Sequence, residues 1–300
     1  MTNSSKPLLF FGNERLVSGL KTTNAPVLTA LIEHGYTIAA VVSHHSDGKS
    51  RNNRELEVAR VAAEHNIPVF LPNRPSEIRE ELLALHAEAA ILVAYGRIIP
   101  QSIIDIFPKG IINIHPSLLP SYRGPTPIES AISNGDAQTG VSVMQLTAGM
   151  DEGPVYAQKV VPLLGTETKF DLYETLAAAS VELLLGILPS ILDGSLQPTP
   201  QDDSQATYCQ LLSKTDGTLA PGAFTAAEAE RRVRAHLTFP KTKLAVMGHE
   251  IIITKAHITT EPKTPLDIEC RDGAYLSIDE LIAPSGRRMN GEAFLRGYAG

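Results

Sequence analysis

Asn113 and His115 stand two positions apart in the run Ile111-Ile112-Asn113-Ile114-His115-Pro116-Ser117. On an extended backbone, residues two apart project from the same face, so this spacing delivers an amide and an imidazole to one spot. Ile111, Ile112 and Ile114 supply the β-branched pattern of a core strand. Pro116 lacks a ladder donor and biases His115 out of the α region, which ends the strand there. The carboxyl end of a parallel strand is where open α/β sheets bind their ligands. A carboxylate follows in the turn Gly149-Met150-Asp151-Glu152-Gly153, after a strand-like run over residues 140–146. Singly, an Asn or His at a strand end is an ordinary hydrogen-bonded cap. With Asp151 as third member, the set suits acyl transfer: oxyanion donor, proton handler and orienting anion.

The first half of the chain supplies the elements that must position these groups. Apolar patterning predicts a strand over 8–11, a helix over 26–33 and a strand over 36–43. A helix over 54–65 would put Leu56, Ala59 and Ala63 on one face, followed by an extended piece at 68–71. A helix over 76–86 and a strand over 89–94 complete the repetition. Such βα alternation implies a Rossmann-like, mostly parallel sheet covered on both faces. The glycines exclude a dinucleotide or nucleoside triphosphate. Gly12-Asn13-Glu14-Arg15-Leu16 follows the first strand, with neither a G-x-G-x-x-G nor a Walker sequence. A helix opens at Pro125-Thr126-Pro127 and runs through Ile132, and strands at 141–146 and 154–162 flank Asp151. A long helix over 169–192 sets Tyr173, Leu176, Ser180, Leu184, Leu188 and Ile191 at core spacing.

Composition then shifts. Residues 194–207 are polar with two prolines and read as a linker between a catalytic domain, 1–193, and a smaller C-terminal domain, 208–300. Thr225 and Glu228 form a capping box for a helix carrying Ala229, Val233 and Leu237. Strands expected at 243–247, 250–259, 267–270 and 274–281, with turns at Gly248-His249 and Asp272-Gly273, suggest a small antiparallel barrel of the oligonucleotide-binding type.

The net charge of −7 argues against a protein coated for nucleic acid. The charge is uneven: residues 1–207 carry 14 Lys and Arg against 22 Asp and Glu, whereas residues 208–300 carry 12 against 11. An RNA partner would therefore use local patches, for which Arg231, Arg234, Lys241 and Lys243 are the candidates in the second domain. Two distant cysteines, Cys209 and Cys270, suit a reducing compartment. The amino terminus shows no signal-like apolar segment, and runs such as 89–95 are too short to cross a bilayer, so the expectation is a cytoplasmic protein with no membrane partner. His44, His45 and Asp47 lack metal-ligand spacing, and no metal site is expected.

The run Asn113-x-His115-x-Ser117-Leu118-Leu119-Pro120 with Asp151 resembles the folate-dependent formyltransferase superfamily. That superfamily includes formyltransferases of glycinamide ribonucleotide, of sugar nucleotides and of methionyl-tRNA, and formyltetrahydrofolate hydrolases. The segments 93–100, 123–128, 134–141, 208–214 and 283–296 look most like the members acting on methionyl-tRNA. So does the presence of a second domain. Three departures stand out: Gly12 to Leu16 replaces the usual Gly-Thr-Pro-x-Phe, the basic loop is shortened to residues 46–53, and Thr238-Phe239-Pro240 replaces a Trp-bearing segment.

The resemblance implies transfer of a formyl group from 10-formyltetrahydrofolate to the α-amine of methionine on initiator tRNA, without a metal and by a monomer. It implies catalytic roles for Asn113, His115 and Asp151, and a folate site at Ser117, Leu118, Leu119 and Pro120 walled by Val93, Ala94, Tyr95 and Ile98. Lys49, Arg51 and Arg54 are expected to meet phosphates. A sugar-nucleotide N-formyltransferase would use the same triad on a small acceptor. A catalytically silent RNA-binding protein would keep the fold, but the intact triad argues against it.

Overall fold

The computed structural model describes residues 6–17, 20, 23–44 and 56–298. Its N-terminal part alternates as the apolar pattern requires: β1 (Leu8–Gly12), α1 (Pro26–Glu33), β2 (Ile38–Val42), α2 (Glu57–Glu64), β3 (Val69–Phe70), α3 (Arg79–Ala84), β4 (Ala89–Val93), α4 (Gln101–Ile104) and β5 (Ile111–His115). There follow α5 (Pro127–Asn134), β6 (Gln138–Gln145), β7 (Val155–Pro162) and the long α6 (Lys169–Asp193). The strands form one sheet in the order β3-β2-β1-β4-β5-β6-β7, parallel from β3 to β5 and antiparallel at β6 and β7. The strand order reverses direction at β1 and β4, the kind of position where such sheets open a crevice for ligands. There the chains approach so closely that a Cβ built on Gly12, at φ 142°, would fall on the Val93 carbonyl oxygen.

Alternation along β5 divides its residues between two cores. Ile112 and Ile114 join the cluster under α1 and α6, while Ile111 joins the opposite cluster with Phe11, Leu92, Ile103 and Phe107. Asn113 and His115 therefore lie on the second face. In register, Asn113 sits beside Leu92 of β4 and Met144 of β6, and His115 beside Ser142.

Some expectations need correction. The buried face of α2 is Val58, Val61 and Ala62; Ala63 is exposed, because Leu56 lies before the helix at its N-cap and the face turns with the later start. The apolar runs were expected to be too short for a bilayer, yet α6, at 25 residues, has the length and composition to span one. Its Leu172, Leu176, Leu184 and Leu188 instead pack on the sheet, as in the core helix of a globular domain.

The second domain contains α7 (Ala226–Ala235), β8 (Thr242–Val246), β9 (His249–Thr259), β10 (Asp267–Glu269), β11 (Tyr275–Ile282), β12 (Arg288–Asn290) and α8 (Gly291–Tyr298). Among the described residues these five strands make one antiparallel, curled sheet packed around α7 and Phe294 of α8. The hairpin from β8 to β9 turns at Met247 and Gly248, with φ of 53° and 78°, the paired positive angles of a two-residue type I′ turn. Leu237 lies beyond the end of α7 rather than on its apolar face. The sequence did not reveal β12 or α8.

The segment expected to be a linker is bound along the first domain. Thr199 exchanges backbone bonds with Val155, Thr207 N donates to Pro120 O, and Arg123 N donates to Thr207 O. The two domains meet through α5 and α7. Buried Lys169 donates to Phe239 O at 2.8 Å and pairs with buried Glu129 at 3.7 Å across this contact.

Candidate active site

β5 ends with both predicted groups almost enclosed: Asn113 and His115 are each 5% exposed. Nε2 of His115 lies 2.9 Å from the Tyr122 carbonyl, which can only accept, so this nitrogen carries the proton. Nδ1 faces Asp151 Oδ2 at 3.7 Å. Asp151 thus stands beside the ring nitrogen opposite the one that donates to Tyr122. The Asn113 amide, by contrast, makes no hydrogen bond among the described residues, which leaves its N–H groups to meet a ligand.

Asp151 reaches His115 by an indirect path. Leu146 pairs with Ile111, at the other end of β5, so the hairpin from β6 to β7 must fold back across the sheet. Gly153 permits this, since a Cβ there would fall on the Gln145 carbonyl and crowd Met144. Asp151 turns in the left-handed region at φ 52° and takes the Gly124 backbone N–H on Oδ2 at 2.8 Å. Gln201 Nε2 donates to the carbonyls of Asp151 and Gly153, both at 2.7 Å. Sequence reasoning missed Tyr122, Gly124 and Gln201, whose bonds span from 7 to 50 positions and leave no local pattern.

The expected folate residues divide by role. Ser117 is buried and donates to Ser121 O, while its carbonyl accepts from Ser142 Oγ at 2.7 Å. Leu119 N donates to the same Ser142 hydroxyl at 3.0 Å, and Leu119 O accepts from Gln158 at 2.8 Å. Leu118 packs where a Cβ on Gly140 would collide. The Ser117 hydroxyl and carbonyl and the Leu119 backbone groups are thus bonded within the protein, which clamps the turn that leads to Tyr122 and Gly124. Of the proposed walls, Val93 and Tyr95 are buried in the two cores, and Tyr95 stacks edge-on against Phe11. Burial pushes the Tyr95 phenol up to about 12. The side chains that face outward are Ala94, half-buried at φ 49°, and Ile98, 86% exposed. Met150, also exposed, offers a second apolar edge beside Asp151.

The atypical loop after β1 is structural. Buried Glu14 accepts from the N–H groups of Val27 and Leu28 at 2.8 and 2.9 Å, capping α1, and burial raises its carboxyl to about 7 against those two bonds. Arg15 pairs with Glu57 at 2.7 Å.

The basic candidates are scattered. Lys49, Arg51 and Arg54 lie outside the described residues. Arg231 and Arg234, candidates for RNA contact, are half-buried and bonded within the protein. Arg231 donates to Ser133 O at 3.1 Å, and Arg234 donates to Glu167 O at 2.6 Å while pairing with Glu230 at 2.8 Å. Both join the domains. Lys241 is exposed, and half-buried Lys243 lies 3.4 Å from Glu250. No group of three His, Cys, Asp or Glu among the described residues is placed to hold a metal.

Residues 15–188 match the formyl transferase family model. Methionyl-tRNA formyltransferase of Pelobacter propionicus is 31% identical over an alignment covering 98% of this chain and 94% of its own. That of Chloroflexus aurantiacus is 36% identical over 90% and 92%. Among solved structures, the N-formyltransferase of Helicobacter canadensis, determined with folinic acid and dTDP-3-aminofucose, superposes with a TM-score of 0.68 at 19% identity, covering 91% of this chain and 99% of that one. HypX of Aquifex aeolicus, determined with tetrahydrofolic acid, also gives 0.68 at 19% identity, over 98% of this chain and 48% of that one.

Proposed function

The chain belongs to the formyl transferase family, and from that membership we propose that it transfers the formyl group of 10-formyltetrahydrofolate to the α-amine of methionyl-tRNA for translation initiation. The observation that carries this reading is that relatives named methionyl-tRNA formyltransferase align through both domains, well past the end of the family match at residue 188.

The neutral amine attacks the formyl carbon, a C–N bond forms and negative charge gathers on the formyl oxygen. Asn113 donates to that oxygen, and the His115 imidazole, held by Tyr122 O and lying beside Asp151, stabilises it at short range. Asp151 takes the proton lost by the amine, directly or through water. Collapse breaks the bond from the formyl carbon to the folate nitrogen, which takes up a proton on leaving. Burial of Asn113 and His115 strengthens each of these interactions by excluding water.

The folate lies in the crevice beside β4, its apolar wall formed by Ala94 and Ile98, with exposed Met150 of the Asp151 loop as a further apolar contact. Val93 and Tyr95 shape this wall from behind, and the Ser117 to Pro120 turn fixes its floor. The catalytic domain comprises residues 1–193 and the RNA-facing domain 208–300. Lys241 and Lys243, with Lys49, Arg51 and Arg54, meet tRNA phosphates. In this reading the enzyme acts as a monomer in the cytoplasm, with no membrane partner.

The test is a panel of acceptors. With labelled 10-formyltetrahydrofolate, formyl should pass to initiator methionyl-tRNA and not to amino-sugar nucleotides. Transfer to an amino-sugar nucleotide alone would make the enzyme a sugar formyltransferase.

A further inference from the structure

We propose that Gln201 is a positioning residue for Asp151, which makes the segment between the domains a working part of the active site; this rests on the formyl-transfer reading and deepens it. Asp151 has a left-handed backbone at φ 52°, a conformation open to Asp but not its default, and contacts from the surrounding chain hold it there. Its carboxylate is fixed by Gly124 N, but its backbone is fixed by Gln201, whose amide nitrogen bridges Asp151 O and Gly153 O at 2.7 Å each. This bridge clamps both sides of the turn that carries the carboxylate to His115.

The Gln201 amide can have only one orientation. Oε1 accepts from Arg123 Nε at 3.1 Å and Nη2 at 2.9 Å, and a guanidinium only donates. The carbonyls on the other side only accept. Arg123 is 1% exposed and is itself held by Asp203 at 2.6 Å and Tyr208 OH at 3.1 Å. It also sits between Tyr122, whose carbonyl holds His115, and Gly124, whose N–H holds Asp151. Arg123 and Gln201 thus close a frame around the catalytic pair, built from one residue of the β5–α5 loop and one of the interdomain segment.

A simpler role would be to anchor the segment to Arg123. Gln201→Glu separates the two. The carboxylate still accepts from Arg123, and more strongly with its charge, but it can no longer donate to the two carbonyls. A simple anchor would survive this change; a positioning residue would not. Gln201→Met keeps the volume without any donor and gives a second route should the first variant fold poorly.

The decisive experiment measures kcat and KM for formyl transfer, thermal unfolding, and the imidazole resonances of His115 in the wild type and both variants. Expected are kcat lower by about 10- to 100-fold, the scale for a displaced catalytic group, with an unchanged KM for the folate donor and a shifted His115 signal. A folded variant with wild-type kcat and an unmoved His115 signal would overturn the proposal. If the wild type transfers nothing to methionyl-tRNA, the functional reading fails, while the His115 signal, which needs no substrate, still decides the role of Gln201.

Discussion

Asp151 Oδ2 stands 3.7 Å from Nδ1 of His115, while the opposite ring nitrogen donates to the Tyr122 carbonyl at 2.9 Å. The carboxylate is thereby placed beside the imidazole, where it can receive a proton from the attacking amine. Asp151→Asn keeps the shape and removes the charge. Turnover should fall by roughly two to three orders of magnitude, as for loss of a preorganised electrostatic group, with little change in melting temperature. Single-turnover transfer alongside thermal unfolding checks both halves of this expectation.

The bonds that Arg231 and Arg234 make across the domain contact allow stability to be tested apart from RNA binding. Arg234→Ala removes a bond to Glu167 O across the domain contact and should cost about 1 kcal/mol of stability. The salt dependence of tRNA binding should stay as it was. Lys241→Ala with Lys243→Ala should instead flatten the plot of log affinity against log salt by about one unit per lost phosphate contact. Filter binding from low to moderate salt distinguishes the arginine variant from the lysine pair.

His236 is buried at the domain contact, and burial, then the charges of Arg232 and Lys169, lower its pKa from 6.5 to about 4. Between those values the unfolded chain binds more protons than the folded one, so stability is present above pH 6.5 and is lost as pH falls toward 4. Glu14, raised to about 7, acts oppositely: its contribution is present below 4.5 and lost as pH rises through 7. The difference in melting temperature between wild type and His236→Asn, followed over pH 4 to 7, should isolate the first effect and show a gap that narrows on acidification.

Gly12 lies where β1 meets β4, at φ 142° and with the Val93 carbonyl in the place of a side chain. Gly12→Ala must push the two strands apart at the mouth of the folate crevice. A loss of at least about 2 kcal/mol is expected, together with weaker binding of a reduced folate. Denaturant unfolding and folate titration measure the two effects.

What the sequence made legible was local. The β-branched run closed by Pro116 identified β5 and put Asn113 and His115 on one face, and the glycines around Asp151 marked its turn. The frame that holds those groups was not legible: Gln201 lies 78 positions from Arg123 and 50 from Asp151, and no periodicity links them. The same limit explains the arginines. An i, i+3 spacing places Arg231 and Arg234 on neighbouring parts of a helix, but only the fold reveals that α5 covers that side. In α2, apolar residues at 56, 59 and 63 fit a helical face as well as 58, 61 and 62 do, and the point where the helix starts decides between them.

In the proposed reaction Asn113, His115 and Asp151 together carry a formyl group to methionine on tRNA. The most direct measurement follows labelled formyl from 10-formyltetrahydrofolate into N-formylmethionine, recovered by mild hydrolysis of the tRNA ester, for the wild type and for a folded variant in which all three residues are Ala. The account predicts labelled N-formylmethionine with the wild type and a loss of at least about a hundredfold with the variant. Equal yields from the two proteins, or none from the wild type, would contradict it.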